Sequence, residues 1–186
     1  MVIVIKKVAD ELKVKLPDLI TRPIGKLMYR RVSDQIRHVG SEEVVVLDFD
    51  GIKVIDASFI DEFLLRLMAD SSDSTRPFFI KLRGVSEAIE INIDSVLHSC
   101  FIFNNEKKAV ATDGVTANNS YFIGKLSPIE KDIVNYLRIN KSAMVHDIAA
   151  FIDRDVDDTA RLLEDLNGLR VIRCWRERDS VRYAAV

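Results

Sequence analysis

Residues 44–68 read VVVLDFDGIKVIDASFIDEFLLRLM, and a change of period inside this stretch decides the fold class. Val44–Leu47 is a short continuous apolar run, the pattern of a strand buried on both faces. Asp48, Asp50 and Gly51 interrupt it with turn chemistry, which also accounts for the two acids without a catalytic or metal role. From Ser58 the spacing becomes helical, with Phe59, Phe63, Leu64 and Leu67 on one face, so a helix is predicted to begin near Ser58. Ser58 with Asp61 three residues later has the form of a capping pair. The hydroxyl is therefore expected where the chain enters the helix.

Working outward, Val2–Ile5 reads as a first strand and residues 23–38 as a helix. Ile24, Leu27, Met28, Val32 and Ile36 lie on one face of that helix, and Arg30, Arg31, Asp34 and Arg37 on the other. Gly40 stops it. SSDSTRP at 71–77 is a solvated loop, followed by a strand at 78–82 and a helix-like segment at 85–97. Alternating strands and helices of this kind predict α/β packing with helices covering a mixed sheet.

Thr21-Arg22, LDFDG at 47–51 and DASFIDE at 56–62 together resemble the STAS-like family related to the anti-sigma-factor antagonists, over roughly residues 18–100. The resemblance implies a regulatory, partner-binding domain. In the phosphorylated antagonists a serine or threonine before a glycine is the switch; that puts Ser58 at the phosphorylation target and Phe59 at the glycine, where a bulky ring is expected to crowd a docking kinase. The implied partner is a kinase of the histidine-kinase-like ATPase type. The corresponding docking surface here is Asp56, Asp61, Glu62 and Arg66, and a phosphate on Ser58 would add about two negative charges beside three carboxylates.

At 186 residues, 48% hydrophobic and 30% charged, the chain has room for one ordinary folded domain or two small ones. A net charge of -2 removes any global electrostatic argument for nucleic acid, so DNA contact has to be local. No apolar run approaches a membrane span, and MVIVIKKVADELKV lacks a basic region followed by a long apolar core, so a cytoplasmic protein is expected. Cys100 and Cys174 have no CxxC or His-linked spacing and are expected to be free, mostly buried thiols. His38, His98 and His146 stand apart in sequence, without ligand spacing. Phosphate-loop, nucleophile-elbow and HExxH patterns are absent. The sequence is read as that of a non-enzyme: no catalytic residues, no metal and no cofactor.

Past residue 104, turn-rich sequence alternates with short apolar pieces at 109–112 and 121–124, read as a hairpin or linker over 105–125. Ser127-Pro128 with Glu130 starts a helix at 128–139, whose inward face is Ile129, Ile133, Val134 and Leu137. Helices at 145–152 and 155–167 follow, then strands at 171–175 and 181–185 around a turn at 176–180. This order resembles winged helix-turn-helix domains. The organisation expected is a STAS-like domain at 1–104, the 105–125 connection, and a small α+β winged helix at 126–186.

In such domains the third helix usually enters the major groove. Here Asp153, Asp155, Asp157, Asp158, Glu164 and Asp165 face only Arg154 and Arg161, a balance that repels a polyanion. Arg170, Arg173, Arg176, Arg178 and Arg182 gather instead around the final hairpin. Arg173, Arg176, Arg178 and Arg182 are the candidate nucleic-acid contacts. Trp175, a single aromatic in an alternating strand, reads as core. The leading expectation is a regulatory protein in transcriptional or stress signalling, coupling the STAS-like domain to a winged-helix interaction domain, with a homodimer admissible. The alternative is a DNA-binding transcriptional regulator that uses the basic wing.

Overall fold

The computed structural model describes every residue except Ser74, Asn118, Arg178 and Asp179. In chain order the elements are β1 (Val2–Val4), α1 (Ile5–Glu11), β2 (Asp18–Leu19), α2 (Arg22–Ile36), β3 (Val44–Asp48), β4 (Val54–Ile55), α3 (Ala57–Ile60), a π-helical segment (Asp61–Leu65) and α4 (Arg66–Ser71). They continue with β5 (Phe79–Arg83), α5 (Glu87–Asn104), β6 (Ala109–Thr112), β7 (Phe122–Gly124), α6 (Pro128–Asn140), β8 (Ala143–Met144), α7 (Val145–Ile152), α8 (Val156–Gly168), β9 (Ile172–Glu177) and β10 (Ser180–Ala185).

The apolar run at 44–47 becomes β3, inside a five-stranded sheet of order β1-β3-β5-β6-β7. Neighbours from β1 to β6 are parallel and β7 is antiparallel to β6, so the sheet is mixed. Because side chains alternate across a strand, Ile3, Val45, Leu47, Ile80, Leu82, Val110 and Ile123 share one face. They pack in one core with the buried residues of α1 to α5, including Met28, Val32, Phe59, Phe63, Ile89 and Ile93. All of those helices therefore lie on a single side of the sheet.

The opposite face is met by the C-terminal part of the chain. α6, α7 and α8 pack on a three-stranded sheet of order β8-β10-β9, which is the architecture of a winged helix. The α6 start is as read: Ser127 caps it, and Ser127 and Glu130 form a reciprocal capping box. The link expected at Lys141–Met144 contains β8, a short strand that propensity does not signal because its pairing with β10 is non-local. Periodicity likewise does not signal α1, which takes Ile5 from the expected first strand, or the two-residue strands β2 and β4 that pair with each other. The other differences are at ends, α5 running on to Asn104 and β9 reaching Glu177.

The two parts share packing. Ala109 and Phe122 belong to the C-terminal core, while Val186 packs with Phe79 and Ala111 of the five-stranded sheet. The stretch read as a hairpin or linker thus supplies β6 and β7, whose backbone completes that sheet and whose side chains receive the winged helix. Lys107, between α5 and β6, places its ammonium 2.5 Å from buried Glu130, and Arg170 lies 3.3 Å from Glu42. Lys107→Met leaves the Glu130 carboxylate with only Ser127 donors. Discounted for the solvent access of Lys107, the expected loss is about 2 kcal/mol, read as a lower urea midpoint with an unchanged slope; an unaltered midpoint would show that the pair contributes nothing.

Candidate functional site

The turn before α3 is built on Asp56, not Ser58. Asp56 is the N-cap, its carboxylate accepting from the Phe59 N–H at 2.7 Å, and it also accepts from the Thr21 N–H at 3.0 Å. Ser58 sits inside the first helical turn and donates its hydroxyl to both Asp56 oxygens at 3.0 Å. The expected Ser58–Asp61 capping pair is therefore corrected: the carboxylate two residues earlier reaches the free N–H groups first and holds the hydroxyl as well. Burial pushes the Asp56 acid up, but these hydrogen bonds outweigh it and the group lies below its usual range. Thr21 is held at φ +81°, a strained conformation for a β-branched residue.

Phe59, at the position where the related switch proteins carry glycine, is fully buried with its ring centroid 5.1 Å from that of Phe63. The expectation that it crowds a docking partner is corrected; the ring points into the core. Among the proposed docking residues, Asp61 and Arg66 are accessible, with side chains 47% and 49% exposed. Glu62 is not, at 4% exposure.

Glu62 is instead the hub of a charge cluster that sequence spacing does not reveal. Arg22 reaches its Oε1 at 2.6 Å and Asp61 at 2.6 Å, Arg66 reaches its Oε2 at 2.7 Å, and Lys26 stands 3.7 Å away. Burial raises the Glu62 acid, yet the Arg22 hydrogen bond and the charges of Arg66 and Lys26 carry it below the ordinary value. Arg22 and Lys26 come from α2, which Gly25 lets approach closely: a Cβ there would meet the Glu62 Cβ at 2.9 Å. The π-helical segment rephases the helix so that Glu62, Phe63 and Leu64 are all buried. Asp48 accepts from Arg83 at 2.6 Å, which with the Asp50 N–H holds it low against the effect of burial.

Asp48, Asp56, Glu62 and Glu130 are thus all depressed in the folded chain. The stability each contributes is complete above its unfolded-state pKa of roughly 4 and is lost as pH falls through its lower folded value. Stability measured by urea unfolding should accordingly be flat from neutrality to about pH 5 and fall steeply below about pH 4. A Glu62→Gln variant should show a shallower fall; an acid limb identical to the parent's would exclude Glu62 as a contributor.

In the C-terminal part, β9 is an edge strand of its sheet, and Arg173, Trp175 and Arg176 are exposed along it. Trp175 is 39% exposed, so its reading as core is corrected: it shares the strand face of exposed Arg173, opposite the buried Ile172 that packs in the C-terminal core. The Arg173 guanidinium lies 5.7 Å from the Trp175 ring centre. Arg182 pairs with Glu177 at 2.5 Å. Arg170 is withdrawn, its guanidinium 5.0 Å from the Phe79 ring centre, while the candidate contact Arg178 falls outside the described residues. Cys174 is exposed and only Cys100 is buried. On α8, Asp157, Asp158, Glu164 and Asp165 are all exposed, with Arg161 3.3 Å from Asp158. Among the described residues no cluster of three metal-ligating side chains occurs, and no helix is long and apolar enough to cross a membrane.

No protein-family model and no curated protein matches the chain. Two solved structures are similar to it. One is ZitR from Lactococcus lactis, described as a zinc-responsive MarR family member: 17% identical, covering 53% of this chain and 67% of that one, TM-score 0.32. The other is a cysteine-to-serine mutant of L. lactis ZitR in complex with DNA: 15% identical, covering 54% and 67%, TM-score 0.32. Likeness this slight assigns neither a family nor a ligand.

Proposed function

We propose that this chain is a non-enzymatic regulator whose winged helix contacts duplex DNA through the β9–β10 hairpin, while the α/β part, STAS-like in having all its helices on one sheet face, senses or binds a regulatory partner. The observation that carries the reading is the exposed arginine-bearing edge strand β9 at the tip of a winged-helix sheet. The acidic α8 would be repelled by the major groove, so the hairpin meets the phosphates and the third helix stays clear. Binding of this kind is electrostatic and weakly selective for sequence.

The test is a salt titration of binding to random duplex. Replacing Arg176 and Arg178 by alanine should weaken binding and reduce the slope of log K against log salt by about 2, close to one for each lost phosphate contact. Parent protein that fails to bind duplex even at low salt overturns the reading. The exposed acids of α8 favour a second reading in that event, a basic protein partner held by the same unit.

A phosphate-operated switch at Ser58, with a histidine-kinase-like ATPase as partner, draws no support from the comparisons. Its geometry is demanding, since a phosphate must break the Ser58–Asp56 hydrogen bonds and place a dianion beside a carboxylate. If the switch operates, Ser58→Asp changes partner or DNA affinity while Ser58→Ala does not; equal behaviour of the two variants excludes it.

A further inference from the structure

We propose that the cleft between the hairpin and the five-stranded sheet is a stacking site for an unpaired nucleic-acid base, with Trp175 as its platform. The inference deepens the DNA-binding reading and rests on it. The cleft has a volume of about 220 Å³ and is lined by Glu42, Phe79, Arg173, Cys174 and Trp175. That is below the roughly 300–1,000 Å³ of pockets that enclose larger ligands, and it suits one planar ring system. Trp175 is a large aromatic left 39% exposed on an edge strand and belongs to none of the hydrophobic cores. Its neighbours have the chemistry that single strands require.

Arg173, its guanidinium over the indole and on the same face of β9, is an exposed cation able to meet a phosphate beside a stacked base, and Arg176, next to Trp175 but on the other face of the strand, adds exposed positive charge at the same edge. Aromatic platforms flanked by arginine are how single strands are held with little sequence preference. At the inner end Arg170 covers the Phe79 ring and is bound to Glu42, which offsets the repulsion a carboxylate would exert on phosphate. Glu42, with its side chain 48% exposed, retains acceptor capacity for an exocyclic amine, as acids do toward cytosine. A cytosine strand should therefore bind better than a thymine strand, which has no such amine.

The chain holds one tryptophan and four tyrosines, so emission excited selectively at the red edge of the indole band reports on this site alone. Titrating the full chain at low salt with a short oligodeoxycytidine should quench that emission saturably, and the matching duplex should bind with little quenching. By anisotropy of labelled strands, Trp175→Ala should weaken oligodeoxycytidine binding about tenfold or more and leave duplex binding within about twofold. Trp175→Phe, which keeps a ring, should recover most of the loss; the exposure of Trp175 makes both variants compatible with folding. Unaltered emission with oligodeoxycytidine, or equal affinity in the alanine variant, overturns the proposal. Deoxycytidine monophosphate quenching at the same concentration as the strand overturns it in favour of a free-nucleotide site. Salt-dependent duplex binding without strand binding sinks this inference and spares the hairpin reading, whereas no binding of either nucleic acid sinks both.

Discussion

Phe63→Ala should lower the unfolding free energy of the α/β part by about 3–5 kcal/mol, the range for emptying a large aromatic site in a packed core. Phe63 is fully buried, lies in the π-helical segment, and packs its ring on Phe59. The cavity cannot collapse easily. Glu62 on one side is anchored by three cations, and the following turn is fixed by buried Leu64 and Leu67. Urea unfolding followed by far-ultraviolet circular dichroism is the measurement, because exposed Trp175 on the hairpin is a poor reporter of this core. A loss below about 1 kcal/mol would mean that the segment is not packed as described.

Gly25→Val should cost about 3 kcal/mol. The added Cβ would meet the Glu62 Cβ at 2.9 Å and the Phe59 carbonyl oxygen at 3.0 Å, and one of these atoms is backbone, so relief requires α2 to move outward. Overpacking of this kind costs about 1–3 kcal/mol, and the two further methyl groups place valine at the upper end. The better helix propensity of valine returns less than about 1 kcal/mol. Since α2 carries Arg22 and Lys26, its displacement should also loosen the Glu62 cluster. Gly25→Val should therefore share the shallower acid limb expected of Glu62→Gln, which a purely local clash would not produce.

These two predictions fall on features that differ in how readable they were. Phe63 belongs to the helical period of 59–67, and its burial follows from spacing alone. Gly25 sits within a stretch read as an ordinary amphipathic helix, and its close approach to Glu62 depends on a partner 37 positions away. The same holds for the docking residues. Asp61 and Arg66 are accessible, whereas Glu62, placed on the docking surface by the family resemblance, is buried among Arg22 and Lys26 of α2 and Arg66. Ser58 was expected to cap because its type and position fit; Asp56 fits equally well, and only the path of Thr21 across the turn decides between them.

In the C-terminal part the order of helices and strands was legible from local signals: the Ser127-Pro128-Glu130 start, the helical faces and the alternation after Gly168. The exposure of Trp175 was not, because alternation tells which side of a strand a residue is on and not whether anything covers that side. Local periodicity and turn chemistry therefore determined the longer helices and strands, their order and the α/β character of the first part, since these depend on interactions between residues a few positions apart; α1 and the two-residue strands β2, β4 and β8 carried no such signal. Which side of the sheet receives the winged helix, which acid caps and which is buried, and which arginines of the hairpin stay accessible were decided only by the tertiary structure. Each of those outcomes depends on charges and surfaces brought together from distant parts of the chain, and sequence spacing carries no record of them.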